Sequence, residues 1–297
     1  MPSTKKLYCI TKNNTNPAYE GARIGASRIA ALSGFEVIHT FPDIPDDTSQ
    51  QAQLIEEAIA ARPEAILLAP THPSALDESI LKIRKAEIPF VYFVSNSENV
   101  QADTFVGSNN YSLAVSIATY LIKDLAAGSH LVIIEGNTNS PTSPPRTQGF
   151  LDAIKSQPSF QVIAQESGFY QRQDAKDVFE KIMSQHTKID GVLSANDFMA
   201  LGVIDAMEEV DIKIPIVGVN AMPLAIDAIK EGKMKASAAF DAMKIACAST
   251  LAALRILHGK PVPKLIDLPV DIVNAKNCAA WDLPYEERAL ISWNDVI

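Results

Sequence analysis

The chain has few of the residues that announce chemistry. It holds three cysteines in 297 residues, Cys9, Cys247 and Cys278, far apart and in no metal-ligand spacing. An odd, scattered set rules out a disulfide framework and a zinc site, leaving inert buried thiols or a single disulfide as the readings. Its longest apolar runs hold about six to eight residues, against the ~20 a membrane-spanning helix needs. The opening Met1-Pro2-Ser3-Thr4-Lys5-Lys6 has no apolar leader segment. The chain is therefore expected to be either cytoplasmic or a mature exported protein with an added start methionine. Cations are outnumbered, 26 Lys and Arg against 35 Asp and Glu, a net charge of −9. That excess of acid excludes a nucleic-acid backbone as partner.

Motifs for turnover are missing as well. No dinucleotide or phosphate glycine loop, no H-E-x-x-H, no C-x-x-C and no nucleophile elbow is found. The histidines (His39, His72, His130, His186, His258) are scattered. Only His72, in Thr71-His72-Pro73 after an apolar run, is placed to face a cleft. The carboxylate pairs Asp46-Asp47, Glu56-Glu57 and Glu208-Glu209 sit among polar neighbours and read as solvated faces.

What the chain does have is a rhythm. The apolar runs Leu7–Thr11, Ala65–Pro70, Pro89–Val94, Leu131–Gly136, Gly191–Ala195 and Pro215–Asn220 alternate with amphipathic helical stretches. Ala22, Gly25, Ile29 and Leu32 form one inward stripe on the first helix, with Gly34 beyond its end. Strands alternating with helices mean βαβ units and a parallel sheet. A second series of the same kind starts near Asn109, so two similar α/β domains are expected. Gly136–Pro145, rich in Asn, Ser, Thr and Pro, is either a functional loop or a plain surface turn. A long Ala-rich helix over 242–258, a linker Lys260–Lys264 and a last apolar stretch Ile266–Val273 suggest a chain returning to an earlier domain.

In a parallel α/β sheet, ligands bind outside the carboxyl ends of the strands. Polar and aromatic side chains gather at those positions: Lys12, Asn14, Asn16 and Tyr19 after the first strand, and Ser95 and Asn96 after the fourth. The second series adds Arg146, Tyr170, Asn196-Asp197, Asn220 and Asp241. Amides and Arg offer several hydrogen bonds each, and aromatics give a flat apolar wall, the mix suited to a small hydroxyl-rich molecule. Any single member reads first as a helix cap, Asn196 or Asp197 before Phe198-Met199-Ala200-Leu201 being the clearest case. The whole set, at one end of two sheets, points to a site.

Four stretches resemble the periplasmic solute-binding proteins of the type I, ribose-binding-protein-like class. They are Asn16-Pro17-Ala18-Tyr19, Arg146-x-x-Gly149-Phe150, Ser194-Ala195-Asn196-Asp197-Phe198-Met199-Ala200-Leu201-Gly202 and Pro215-Ile216-Val217-Gly218-Val219-Asn220. The resemblance implies two doubly wound parallel-sheet domains joined by a three-crossing hinge near 108–110, 240–243 and 272–275. One lobe would comprise 1–108 plus 242–273, the other 109–241 plus 274–297. It implies an extracytoplasmic, monomeric component of an ATP-driven importer. That component would capture a sugar-like or polyol ligand by hinge closure and deliver it to a membrane permease, without a cofactor, metal or membrane insertion.

Carried over by position, Asn16, Tyr19, Arg146, Tyr170, Asn196 and Asn220 match family ligand contacts. The family's Asp-Arg pair is Val94-Ser95 here, its Asp at the fifth strand of the second domain is Asn220, and its Gln at the second crossing is Phe240, next to Asp241. Loss of two carboxylate acceptors, with Arg146 kept and Lys12 added, tilts the pocket towards donors. A plain ribose-like pyranose is then not expected; a polyol, modified sugar or acidic relative is. Alternatives are a receptor for a signalling molecule such as autoinducer-2, whose receptors carry a lysine at a place similar to Lys12, a sugar-responsive regulator's effector domain, and an enzyme on the same fold.

Overall fold

The computed structural model describes residues 5–296; Met1–Thr4, four of the six residues of the opening read above as lacking a leader, lie outside them. Lys5–Ile10 (β1), Phe35–Thr40 (β2), Ala65–Leu68 (β3), Phe90–Phe93 (β4) and Thr104–Gly107 (β5) form a parallel sheet. Pro17–Ala31 (α1), Thr48–Ala60 (α2) and Asp77–Lys85 (α3) connect them. A second series follows: Asn110–Ile122 (α4), His130–Glu135 (β6), Ser143–Lys155 (α5), Gln161–Ser167 (β7), Arg172–Gln185 (α6) and Gly191–Ser194 (β8). It ends with Asp197–Glu209 (α7), Ile216–Val219 (β9), Pro223–Lys230 (α8) and Ala236–Ala238 (β10). Ala242–Leu257 (α9), Leu265–Asp267 (β11) and Ile272–Asn274 (β12) complete the regular elements.

The strand orders are β11-β5-β4-β3-β1-β2 and β12-β10-β9-β8-β6-β7. Each order reverses once, between β1 and β3 and between β6 and β8, and ligand crevices open at such reversals. Strands β3, β4, β8 and β9 are buried at every residue, as expected of strands covered on both faces. Each large apolar side chain buried there contributes about 1.5–3 kcal/mol.

Polar caps start the helices next to the strand ends. Asn16 accepts from Ala18 N at 3.0 Å, Asp47 from Gln50 N at 2.7 Å, Asn109 from Ser112 N at 2.9 Å and Asn196 from Met199 N at 2.8 Å. The free Cys9, Cys247 and Cys278 are all buried, and burial pushes the Cys9 thiol up to about 12.

The two doubly wound parallel-sheet lobes are as expected, the first sheet parallel throughout and the second closed by an edge strand, β12, antiparallel to β10. The place of the last crossing needs correction. The apolar stretch Ile266–Val273 divides between the lobes: β11 pairs with β5 in the first sheet and β12 with β10 in the second. The chain therefore crosses over Leu268–Asp271, ahead of the expected 272–275, and Ile272 and Val273 belong with the second sheet. The tail likewise contacts both lobes. Arg28 of α1 donates to the carbonyls of Tyr285 (3.1 Å) and Arg288 (2.7 Å), while Arg288 reaches the carbonyl of Ala221, after β9.

Helix α9 returns to the first lobe and lies on α1, where Gly25 makes the close approach possible. A Cβ on Gly25 would stand 2.7 Å from the Met243 carbonyl oxygen. Replacing Gly25 with Val should destabilise the fold by roughly 1–3 kcal/mol, read as a lower unfolding temperature in calorimetry; Gly34→Ala, in open space, tests only its left-handed backbone (φ 75°).

Candidate functional site

The carboxyl ends of both sheets face one narrow cavity between the lobes, open at its mouth. Lys12, Asn13, Asn16, Ala18 and Tyr19 line it from the segment after β1, Asp46 from the loop after β2 and Val94 from the end of β4. The second lobe supplies Ser140 and Thr142 after β6, Arg146 from α5, Tyr170 after β7, Asn196 after β8 and Asn220 after β9. Phe240 and Ala242 enter from the second crossing.

The first-lobe loop is built around Asn13. Its side-chain Nδ2 donates to Asp46 Oδ1 at 2.7 Å, and its Oδ1 accepts from Asn16 N at 3.0 Å. Asp46 N in turn donates to the Lys12 carbonyl at 3.0 Å, with Asp46 held at φ 61°. This brings the Asp46 carboxylate to the cavity, against the reading of Asp46-Asp47 as a solvated pair; Asp47 caps α2 instead. Asp46 Oδ2 is buried without a partner. Burial raises the Asp46 carboxyl above its usual range, opposed chiefly by the charge of Lys12 and the hydrogen bond from Asn13.

Lys12 is 2% exposed, and its Nζ crosses the cleft to donate to Ser140 Oγ at 2.8 Å. Burial pushes its amine down to about 8, with Asp46 pulling it up and Arg146 pushing it down. A second bond between the lobes runs from Thr15 Oγ1 to Gln171 Oε1 at 3.0 Å.

Arg146, 3% exposed, is fixed by Asn110 Oδ1 (2.8 Å from Nε) and the Ala195 carbonyl (2.6 Å from Nη1). Its guanidinium lies 4.8 Å from the Phe240 ring centroid and 6.0 Å from that of Tyr170. The Tyr170 hydroxyl is 2.9 Å from Thr142 Oγ1, and its ring occupies the space a side chain at Gly136 would fill. Asn196 caps α7 through Oδ1, leaving Nδ2 buried and unpartnered. Asn220 Nδ2 donates to the Phe240 carbonyl at 3.2 Å. Behind this wall, Asp197 accepts from Ser237 Oγ (2.7 Å) and Met222 N (3.2 Å), and burial pushes its carboxyl up to about 7.

Left-handed backbone concentrates here. Asp46, Val94 (φ 67°), Tyr170 (φ 62°) and Asn220 (φ 126°) line the cavity, and Phe169 and Ala221 adjoin it. For the β-branched Val94 this is a costly conformation, of the kind held only where surrounding structure fixes it.

Of the residues singled out in the sequence, Lys12, Asn16, Tyr19, Arg146, Tyr170, Asn196, Asn220 and Phe240 meet at the cavity. Five do not. Asn14 is exposed. His72 Nδ1 accepts from Ser74 N and Ala75 N, closing its own turn. Ser95 turns away to the Pro70 carbonyl at 2.8 Å, and Asn96 bonds the Ser97 carbonyl. Asp241 caps α9, accepting from Met243 N and Lys244 N, on the wall of a different hollow. Sequence reasoning missed Asn13, Ala18, Asp46, Val94, Ser140, Thr142 and Ala242 as wall residues. Only the polar loop Gly136–Pro145 carried a signal for Ser140 and Thr142. Among the described residues, no His, Cys, Asp and Glu cluster is arranged to hold a metal ion, and no helix is long and apolar enough to cross a membrane.

Comparison with known proteins bears on this arrangement. Over 261 residues the chain is 28% identical to the ribose import binding protein RbsB of Bacillus subtilis, covering 88% of this chain and 84% of that one. It is 26% identical to the D-apiose import binding protein of Actinobacillus succinogenes over 282 residues, 92% of this chain and 90% of that one. An ABC transporter periplasmic solute-binding protein from Actinobacillus succinogenes with bound D-allose superposes with a TM-score of 0.88. That match covers 93% of this chain and 99% of the other at 23% identity, a likeness of fold. The periplasmic binding protein domain matches residues 7–261, and the chain, two α/β lobes about one cleft, belongs to that family.

Proposed function

We propose that this protein is the extracytoplasmic, monomeric solute-binding component of an ABC importer. It captures a small polyhydroxylated solute between its lobes and presents the closed form to a membrane permease. One observation carries the reading: polar atoms of both lobes, buried without partners, converge on one cavity between aromatic rings. Asp46 Oδ2 is an orphan acceptor and Asn196 Nδ2 an orphan donor, and a buried polar group left unpaired costs about 1–3 kcal/mol. A ligand hydroxyl, which both donates and accepts, satisfies either. Tyr19, Tyr170 and Phe240 cover the solute's carbon–hydrogen faces. Lys12–Ser140 and Thr15–Gln171 are the contacts that would part when the lobes swing open. The relatives named for ribose and D-apiose import support a carbohydrate-like solute, and the wall supplies binding groups rather than a nucleophile with its base.

Asn196→Ser separates the two duties of Asn196. Serine keeps the helix cap but has no amide to offer the cavity, so solute affinity should fall about tenfold, the loss of one ~1–1.5 kcal/mol hydrogen bond. The unfolding temperature should stay within a degree or two of the parent. A drop in stability with unchanged affinity would assign Asn196 to the cap alone.

A thermal-shift screen of pentoses, hexoses, alditols and sugar acids should show at least one strong stabiliser, since a ligand at a hundred times its Kd adds about 2.7 kcal/mol. Mass spectrometry of solute carried through native purification should identify a compound of the same class. A screen without any stabiliser, together with a purified protein free of such a compound, would refute the reading.

A further inference from the structure

We propose that the solute is a small polyhydroxy acid, an aldonate with one carboxylate, and that Lys12 and Arg146 receive that carboxylate. The inference rests on the solute-binding reading above and narrows its class.

The cavity wall holds two cations and one carboxylate. Lys12 and Arg146 are 2% and 3% exposed, and every hydrogen bond they make among the described residues goes to a neutral oxygen: Ser140 Oγ, Asn110 Oδ1 and the Ala195 carbonyl. Each keeps N–H donors beyond those bonds, two on the Lys12 ammonium and those of the guanidinium Nη2 of Arg146 among them. The two cations sense one another, since the guanidinium pushes the amine of Lys12 down. Buried charges without an opposite charge are expensive, and a ligand that supplies one removes that cost.

Asp46 does not cancel both cations. Its Oδ1 is taken by Asn13, and its Oδ2 is the orphan acceptor of the wall. Asp197, the next carboxylate, lies behind the wall, accepts from Ser237 and Met222 and senses the charge of Arg146. Burial pushes its carboxyl up to about 7, so it offsets the guanidinium only in part. Asp241 sits at the start of α9. Among the groups that line the cavity, the cations therefore outnumber the carboxylates, an excess of one. A monoanion matches it; a phosphate dianion would exceed it and face Asp46. Asp46 Oδ2 and Asn196 Nδ2 then serve the hydroxyl groups of the same molecule. Where the resemblance noted above has an Asp-Arg pair and a second Asp, this chain has Val94, Ser95 and Asn220, which add no carboxylate to the wall.

Calorimetric titration of the full chain at pH 7 with matched sets of equal chain length (ribonate, ribose and ribitol; threonate and erythrose; ribose 5-phosphate as the dianion) tests this. The best aldonate should bind at least tenfold more tightly than its aldose and alditol. Its affinity should vary little from about pH 5 to 8 and fall above that range, as the buried Lys12 ammonium loses its proton. Asp46, Arg146, Tyr19 and Tyr170 are the titratable neighbours of Lys12 in the cavity, and aldose affinity serves as their control. Lys12→Gln, which keeps a donor for Ser140, should abolish the preference for acid and flatten the profile; should that variant not fold, the pH profile of the parent decides alone. An aldose or alditol binding as well as its acid, or the phosphate binding more tightly, overturns the inference and leaves the solute-binding reading standing. No binding by any probe, with no solute found on the purified protein, overturns both.

Discussion

Helices and strands of a parallel sheet meet at one edge, and there the first turns of the helices and the last residues of the strands must all be satisfied together. In this protein that edge is the cleft. A side chain at a strand end first closes the local backbone, and only the atoms left over face the cavity. Asn196 illustrates the division: its oxygen starts α7 and its nitrogen remains. Asn16 has the same form, with its oxygen on Ala18 N. Asp241 shows the other outcome, both donors of the first turn of α9 taking the same carboxylate oxygen.

This division explains how much was legible beforehand. The alternation of apolar runs and amphipathic helices specifies two α/β lobes because buried parallel strands need continuous apolar sequence. The strand-end positions followed from topology, and eight of them do reach the cavity. His72 and Ser95 had the right address, but their side chains turn back on neighbouring backbone, which depends on local geometry that residue type does not reveal. Asp46 was illegible for the opposite reason. It arrives through a loop after β2 whose shape is set by Asn13, 33 residues earlier. The last crossing was hidden because β11 and β12 have three residues each, too few for periodicity to separate them.

Rigidity at the wall has a backbone origin. Val94, Tyr170 and Asn220 hold left-handed conformations at the ends of, or just beyond, three different strands, and each is braced by a neighbour: Val94 N by the Val106 carbonyl, Tyr170 by Thr142, Asn220 N by the Ala238 carbonyl. Gly136, lacking a side chain, admits the Tyr170 ring. The aromatic and polar groups are therefore set in place before a solute arrives, which reduces the ordering entropy of binding.

The bond between Lys12 and Ser140 has a thermodynamic consequence. Because it joins residues 128 positions apart across the cleft, closing the lobes already orders the ammonium, and a solute that takes its two remaining N–H donors adds bonds without losing that one. The entropy of holding the long side chain in one place is then lost once, on closure, and not again on binding the solute. Selectivity at this contact comes from charge, since a charged oxygen changes the field around the whole wall and a neutral one does not.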